Sequence, residues 1–130
     1  MVPAAGQGAI VVQARADALT TSQRDAINDE ATFACVLAER AFVHALGAGC
    51  ESPIGAICRM LGDGRATLTG WVGLPDGSEW LRDEVTGDPA QVGARCAERM
   101  TAAGALKLLH RAAEQVTVTP AGPIAPGTTA

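Results

Sequence analysis

The chain has 130 residues, a net charge of −4, 48% hydrophobic residues and only 3% aromatic residues. This length suits one domain better than two, and the acidic balance argues against a nucleic-acid interface, which needs clustered basic residues. No apolar stretch reaches the roughly 18 residues that would span a bilayer. The four cysteines form no CxxC and lie apart from the two histidines, so we predict neither a disulfide scaffold nor a metal site. Met1-Val2-Pro3 lacks the basic start of a signal peptide, so we expect a cytoplasmic protein with reduced thiols.

The chain opens with a turn-rich segment, residues 3–8, followed by a β-branched apolar run at residues 9–14. Such a run is typical of a buried strand. A buried strand needs neighbours, and no partner follows it in the sequence. We therefore expect it to belong to a sheet that is mostly missing from this chain.

Two helices are predicted next. Thr20 and the hydroxyls after it cap a short helix that runs to about Ile27, and a long Ala-rich helix covers residues 30–46. The i, i+4 spacing predicts a core-facing side of the long helix, made of Phe33, Leu37 and Ala41 with Ala34, Ala38 and Ala45 beside them. Glu39 and Arg40 then fall on the remaining circumference, where either is expected to form a structural ion pair.

Residues 53–61, 66–74 and 79–86 are three strand candidates, separated by turns with Gly or Asp-Gly at their centres. They predict a three-stranded antiparallel meander. Asp88 as N-cap and Pro89 at the first helical position begin a last long helix, which Gly104 ends or kinks before helix resumes at residues 106–113. The fold class expected is α+β, with the sheet covered on one face by two long helices. Residues 116–130 are rich in Pro, Thr and Gly and are expected to be a disordered tail.

Cys50 lies in a loop between the long helix and the first strand candidate, in Gly47-Ala48-Gly49-Cys50-Glu51-Ser52-Pro53. The glycines remove side-chain bulk near the sulfur and the proline stops a helix from absorbing the loop. A thiol in this setting is suited to carry a covalent load, although an unremarkable loop thiol fits the same local pattern. The other cysteines lie in apolar runs and are predicted to be core residues.

Four short motifs occur in this chain in a characteristic order. They are Pro3-Ala4-Ala5-Gly6-Gln7-Gly8-Ala9, Ala38-Glu39-Arg40-Ala41, Gly49-Cys50-Glu51-Ser52-Pro53-Ile54-Gly55 and Pro75-Asp76-Gly77-Ser78. They resemble the PAxGQGA, AERA, GCxxPIG and PDGS segments of the porphobilinogen deaminase (hydroxymethylbilane synthase) family, in the C-terminal domain and the end of the first domain. The resemblance covers residues 1 to about 115.

The resemblance implies a transferase of tetrapyrrole and haem biosynthesis. This family joins four porphobilinogen molecules into hydroxymethylbilane, with release of ammonia, on a dipyrromethane cofactor that acts as a primer. In the family the cysteine of GCxxPIG holds that primer through a thioether, and Cys50 stands at this position. A soft thiolate suits the task because it captures the electrophilic methylene carbon formed when ammonia leaves.

The resemblance also implies what this chain lacks. The family's catalytic aspartate and most of its arginine clamps lie in two preceding domains, so no catalytic residue is expected here. We expect residues 1–28 to be the trailing segment of a first domain, 29–115 the cofactor-attachment domain, and porphobilinogen and the growing tetrapyrrole to be bound through the absent domains. A fragment of a longer protein, inactive and without dipyrromethane, is the favoured interpretation. A stand-alone binding module and one chain of a split enzyme are the alternatives.

Two further features are candidates for cofactor binding. Gly6, Gln7 and Gly8 fit either a backbone lying close to the tetrapyrrole at an interdomain hinge or a plain strand-entry turn. Arg15 follows the predicted strand and fits either a contact to a pyrrole carboxylate or an exposed arginine at a strand end.

Overall fold

A computed structural model describes residues 1–118. Within that range the elements are α1 (Thr21–Ile27), α2 (Glu30–Ala45), β1 (Ile54–Met60), β2 (Ala66–Gly73), β3 (Trp80–Gly87), α3 (Pro89–Ala102) and α4 (Ala105–Val118). No helix in this part of the chain is both long and apolar enough to cross a membrane.

The three strands form one antiparallel sheet in the order β1-β2-β3. The register pairs Thr69 at the centre of β2 with Ile57 on one side and Glu84 on the other. Because side chains alternate along a strand, Leu68 and Val72 point to the face on which the helices pack, and both are fully buried. The predicted meander and the α+β class are confirmed.

The core is built by small residues that let large ones approach. Phe42 from α2 and Met100 from α3 meet over Gly70 of β2, where an added Cβ would lie 2.5 Å from the Phe42 ring and 3.0 Å from the Met100 sulfur. Phe42 is fully buried. Glycine at position 70 thus allows a protein with few aromatic residues to bury one at the centre of its helix–sheet interface.

The helix starts follow local capping chemistry. Thr20 and Gln23 form a reciprocal capping box at α1, the Asp29 side chain accepts a hydrogen bond from the Thr32 N–H at α2, and Asp88 accepts from the Ala90 N–H at α3. The predicted caps at Thr20 and Asp88 are confirmed.

Residues 9–14 form no strand within this chain, and the expectation that they belong to a sheet outside it stays a prediction. This segment has no strand assignment, and Ile10 and Val11 are 95% and 83% exposed. A strand is held by backbone hydrogen bonds to a neighbour, and within residues 1–118 the three strands of the sheet pair only with one another. The local preference for extended backbone therefore produces no strand here.

The predicted core-facing side of α2 is also partly wrong. Phe33 and Leu37 are 56% and 50% exposed, whereas Ala38 and Phe42 are buried. Because alanines occur on several sides of α2, the spacing of its apolar residues does not identify one buried side. The close approach of α3, where Gly93 leaves room for the Ala38 carbonyl, determines which side faces inward.

The disordered tail predicted from residue 116 is wrong for residues 116–118. Helix α4 continues to Val118, so residues 116–118 are helical, and residues 119–130 lie outside the described range. Arg111 of α4 forms a 2.5 Å ion pair with Glu79 next to β3, and α4 also packs against β2. These tertiary contacts hold α4 against the sheet.

Candidate functional site

Backbone hydrogen bonds hold both ends of the loop that carries Cys50. Helix α2 ends at Ala45, and Gly47 just beyond it has a positive φ of 63° and an N–H that donates to the His44 carbonyl at 3.0 Å. At the other end the Pro53 carbonyl accepts a hydrogen bond from the Gly73 N–H of β2 at 3.1 Å. The loop is therefore a short, fixed connection rather than a loose one.

Between these ends, a tight turn presents Cys50. The Ser52 N–H donates to the Gly49 carbonyl at 3.1 Å, and the Ser52 hydroxyl accepts from the Gly49 N–H at 3.0 Å. Apart from the residues adjacent to each glycine, no atom of residues 1–118 lies within 4 Å of where a Cβ would stand on Gly47 or Gly49. Cys50 is exposed at the tip of this turn, with open space around its neighbouring backbone.

The other cysteines are in different surroundings, as predicted for Cys58 and Cys96. Both are buried. Burial raises the pKa of the Cys96 thiol to about 11, and burial together with the neighbouring Cys35 thiol raises the pKa of Cys58 to about 12. Both thiols thus stay protonated at neutral pH, and a protonated thiol is a poor nucleophile. Cys35 is partly buried and packs against the core from its edge, so its prediction as a core residue is only partly correct.

We expect iodoacetamide at pH 8 to alkylate Cys50 first and Cys96 and Cys58 last. At that pH a thiol with a pKa near 11 is ionised in only about one molecule in a thousand, and burial also blocks the reagent. Peptide mapping by mass spectrometry at several reaction times measures the four rates. In denaturant the four rates should converge, and a folded chain in which Cys96 reacts as fast as Cys50 would contradict this assignment.

Gly6, Gln7 and Gly8 lie beside α2 and β1. Gly6 has a positive φ of 71° within a turn in which the Gln7 N–H donates to the Ala4 carbonyl at 3.1 Å. The three residues line a groove of about 530 Å³, together with residues of α2 and β1. No residue of the Cys50 loop lines this groove, so the structure does not bring these candidates together with Cys50 in one cavity.

Glu39 is the residue that the sequence interpretation missed. It was expected on the outer circumference of α2 in an ion pair, and instead it is only 8% exposed. Its two carboxylate oxygens accept hydrogen bonds from the Gly6 N–H and the Cys58 N–H, both at 2.7 Å. No ion pair of Glu39 occurs within residues 1–118. The sequence held no local signal for this burial, because the predicted core-facing side of α2 was that of Phe33 and Leu37, which are exposed.

These hydrogen bonds close the free edge of the sheet. β1 is an edge strand, and the Ala56 N–H on its outer side donates to the Pro3 carbonyl at 2.9 Å. Two residues further along the same edge, the Cys58 N–H donates to Glu39. Unpaired edges invite association with other strands, so Glu39 and Pro3 together protect this one.

Arg15 is exposed, beyond the groove-lining segment, in a turn where the Ala18 N–H donates to its carbonyl at 3.0 Å. The structure places Arg15 in no site with Cys50. His44 is exposed, and His110 lies 3.6 Å from Glu114 one helical turn away, on the surface of α4. Within residues 1–118 no group of three or more His, Cys, Asp or Glu side chains is arranged to hold a metal ion.

The structure therefore defines a small α+β domain that displays one exposed cysteine on a fixed loop. Residues 33–102, which include that loop, match the family model described as the porphobilinogen deaminase C-terminal domain. The chain belongs to this family.

Curated relatives support the same assignment. The chain is 38% identical over 122 residues to a porphobilinogen deaminase of Helicobacter hepaticus, an alignment that covers 88% of this chain and 38% of the relative. The corresponding protein of Deinococcus deserti is 42% identical over 120 residues, with 88% and 38% covered. That of Bacillus subtilis is 40% identical over 112 residues, with 85% and 36% covered. The chain thus spans less than two fifths of the length of these relatives.

Proposed function

We propose that this chain is the cofactor-carrying C-terminal part of a hydroxymethylbilane synthase, and that Cys50 is where a dipyrromethane primer is attached through a thioether. The observation that carries this proposal is the exposure of Cys50 on a loop held at both ends, within a motif that resembles GCxxPIG. The open space beside Gly47 and Gly49 fits a bulky group on the sulfur.

Cys50 has to perform one chemical step, the formation of the thioether bond. Its thiolate donates an electron pair to the carbon from which ammonia has departed, and a C–S bond forms while the thiol proton goes to solvent. The primer, when bound, supplies the free pyrrole end on which the product is built. The loop keeps the sulfur at a fixed position, because the Gly47 and Pro53 ends are both hydrogen-bonded.

We also propose that residues 1–28 belong with a preceding domain and residues 29–115 form the attachment domain, so that porphobilinogen and the growing chain are bound mainly by parts of the protein outside this one. The exposed apolar side chains of Ile10 and Val11 support a missing neighbour for that first segment. Contacts from Gly6, Gln7, Gly8 and Arg15 to the cofactor belong to this proposal, as does a cytoplasmic location, which suits four unpaired cysteines.

The isolated chain is expected to be inactive and unmodified, because the general acid–base carboxylate that drives deamination in the family lies outside it. The test is incubation of the purified chain with porphobilinogen, followed by an ammonia assay and an intact mass. No ammonia and an unchanged mass are expected. Ammonia release together with a mass increase of two pyrrole units would overturn the proposed inactivity while supporting the attachment.

A split enzyme is the one alternative with a direct test. If a separate chain supplies the missing domains, co-purification from the source cells should recover it with this chain, and the pair should consume porphobilinogen. A chain that purifies alone and stays inactive when the two missing domains of a relative are added would favour a non-catalytic binding module instead.

A further inference from the structure

Two of the cysteines that the proposed function does not use, Cys35 and Cys58, line the same groove. Cys35 is on α2, one helical turn before Glu39, and so on the same side of the helix. Glu39 in turn accepts the Cys58 N–H of β1 at 2.7 Å. The side of α2 that carries Cys35 therefore faces Cys58, and Cys35 contributes, after burial, to the raised pKa of the Cys58 thiol.

The pair is accessible from one direction. Cys35 is partly exposed and Cys58 is buried, and both line the groove of about 530 Å³ that also contacts Gly6, Gln7 and Gly8. A small neutral oxidant of the peroxide class fits such a groove. Cys96 is fully buried and does not line it, so it offers a matched comparison.

We propose that Cys35 and Cys58 form a reversible disulfide when the protein meets a peroxide, and that this bond fastens α2 to β1. In the first step the Cys35 thiolate attacks one peroxide oxygen, giving a sulfenic acid and releasing hydroxide, which the thiol proton neutralises to water. In the second, slower step the Cys58 thiol gives its proton to the departing sulfenic hydroxyl group while its sulfur attacks the Cys35 sulfur, so that the S–O bond breaks, a second water leaves and the S–S bond forms. Two thiols are oxidised and one peroxide molecule is reduced, and a dithiol reductant reverses the bond.

The position of this disulfide gives it a consequence for the Cys50 loop. α2 ends at Ala45 and β1 begins at Ile54, so the two elements that the bond joins are those on either side of the loop. Oxidation would fix them together and stiffen the support on which Cys50 stands. The formation of the disulfide does not depend on the proposed function, because it rests on Cys35, Cys58 and the groove alone.

The test uses the full 130-residue chain with Cys50→Ser, which removes the exposed thiol that would react first. The chain is folded, treated with equimolar hydrogen peroxide, then denatured and alkylated, and its intact mass and peptides are measured. We expect the intact mass to fall by about 2 Da, the mass of two hydrogen atoms. We also expect a linked peptide pair that contains Cys35 and Cys58, and alkylation of Cys96 alone. Dithiothreitol should restore three alkylatable thiols.

Further cysteine-to-serine variants distinguish a disulfide between Cys35 and Cys58 from a disulfide that involves Cys96. Adding Cys96→Ser should leave the 2 Da loss intact, and adding Cys35→Ser or Cys58→Ser should abolish it. Oxidation should also raise the unfolding temperature, reversibly, since the cross-link restricts the unfolded chain. Recovery of Cys35 and Cys58 as free thiols, over-oxidation of Cys35 without a linked peptide, or a link to Cys96 would each overturn the proposal.

Discussion

Replacing Gly93 by alanine is expected to lower the melting temperature by about 10 °C, which corresponds to roughly 2–3 kcal/mol for a chain of this size. Gly93 lies on the buried side of α3. An added Cβ there would overlap the carbonyl oxygen of Ala38 and lie 3.1 Å from the Ala41 Cβ. The atom in the way is helix backbone, so α2 and α3 have to move apart.

The sign of this effect is informative because helix propensity acts in the opposite direction. Alanine in the interior of a helix is favoured over glycine by up to about 1 kcal/mol. A net loss of stability therefore means that the steric conflict dominates. Gly62→Ala is the control, because within the described part of the chain only the adjacent residues lie within 4 Å of its added Cβ, and it should change stability by less than about 0.5 kcal/mol. Thermal unfolding followed by circular dichroism measures both, and equal melting temperatures for Gly93→Ala and the natural chain would contradict the packing described.

Glu39→Ala is expected to cost about 3–5 kcal/mol, because it removes the acceptors of two hydrogen bonds and leaves the buried Cys58 N–H without a partner. Glu39→Gln should cost less, since its amide keeps one acceptor oxygen but turns an NH₂ group toward the other donor. The loss should also free residues 1–8 and expose the outer edge of β1, so we expect Glu39→Ala to associate at high concentration.

Hydrogen exchange distinguishes this role from a general loss of stability. In Glu39→Ala the amides of Gly6 and Cys58 should exchange faster under conditions where amides at the centre of β2 remain protected. Glu98→Ala, an exposed carboxylate on α3, is the control and should be neutral. Unchanged protection of both amides in a folded Glu39→Ala chain would show that the carboxylate does not hold the segment.

Features governed by local chemistry could be predicted from the sequence. The Asp-Gly turn before Ser78, the Asp88-Pro89 helix start and the alternation through Leu68 and Val72 each depend on neighbouring residues, and the structure has all three. Cys50 was likewise found as an exposed loop thiol from its glycine and proline neighbours, although only the resemblance to a family gave it a cofactor.

Features governed by distant contacts could not be predicted from the sequence. The run at Ile10 and Val11 has the composition of a strand but no strand beside it among residues 1–118. Glu39 is polar, so an amphipathic pattern places it outward, and only the approach of Gly6 and of the β1 edge explains its burial. Both outcomes arise because secondary structure and burial respond to tertiary partners that a single helical or strand period does not reveal.

The central claim is that Cys50 carries the primer, and a chimera tests it most directly. In the chimera, the residues of this chain that match the Bacillus subtilis relative replace the corresponding part of that relative. The relative then supplies the rest of the protein. Intact mass spectrometry of the purified chimera should show two added pyrrole units, mapped to the peptide that contains Cys50. Cys50→Ser should lose both the added mass and porphobilinogen consumption, whereas Cys35→Ser should keep them. A folded chimera that consumes porphobilinogen with Cys50 unmodified, or a Cys50→Ser chimera that still carries the added mass, would contradict the claim.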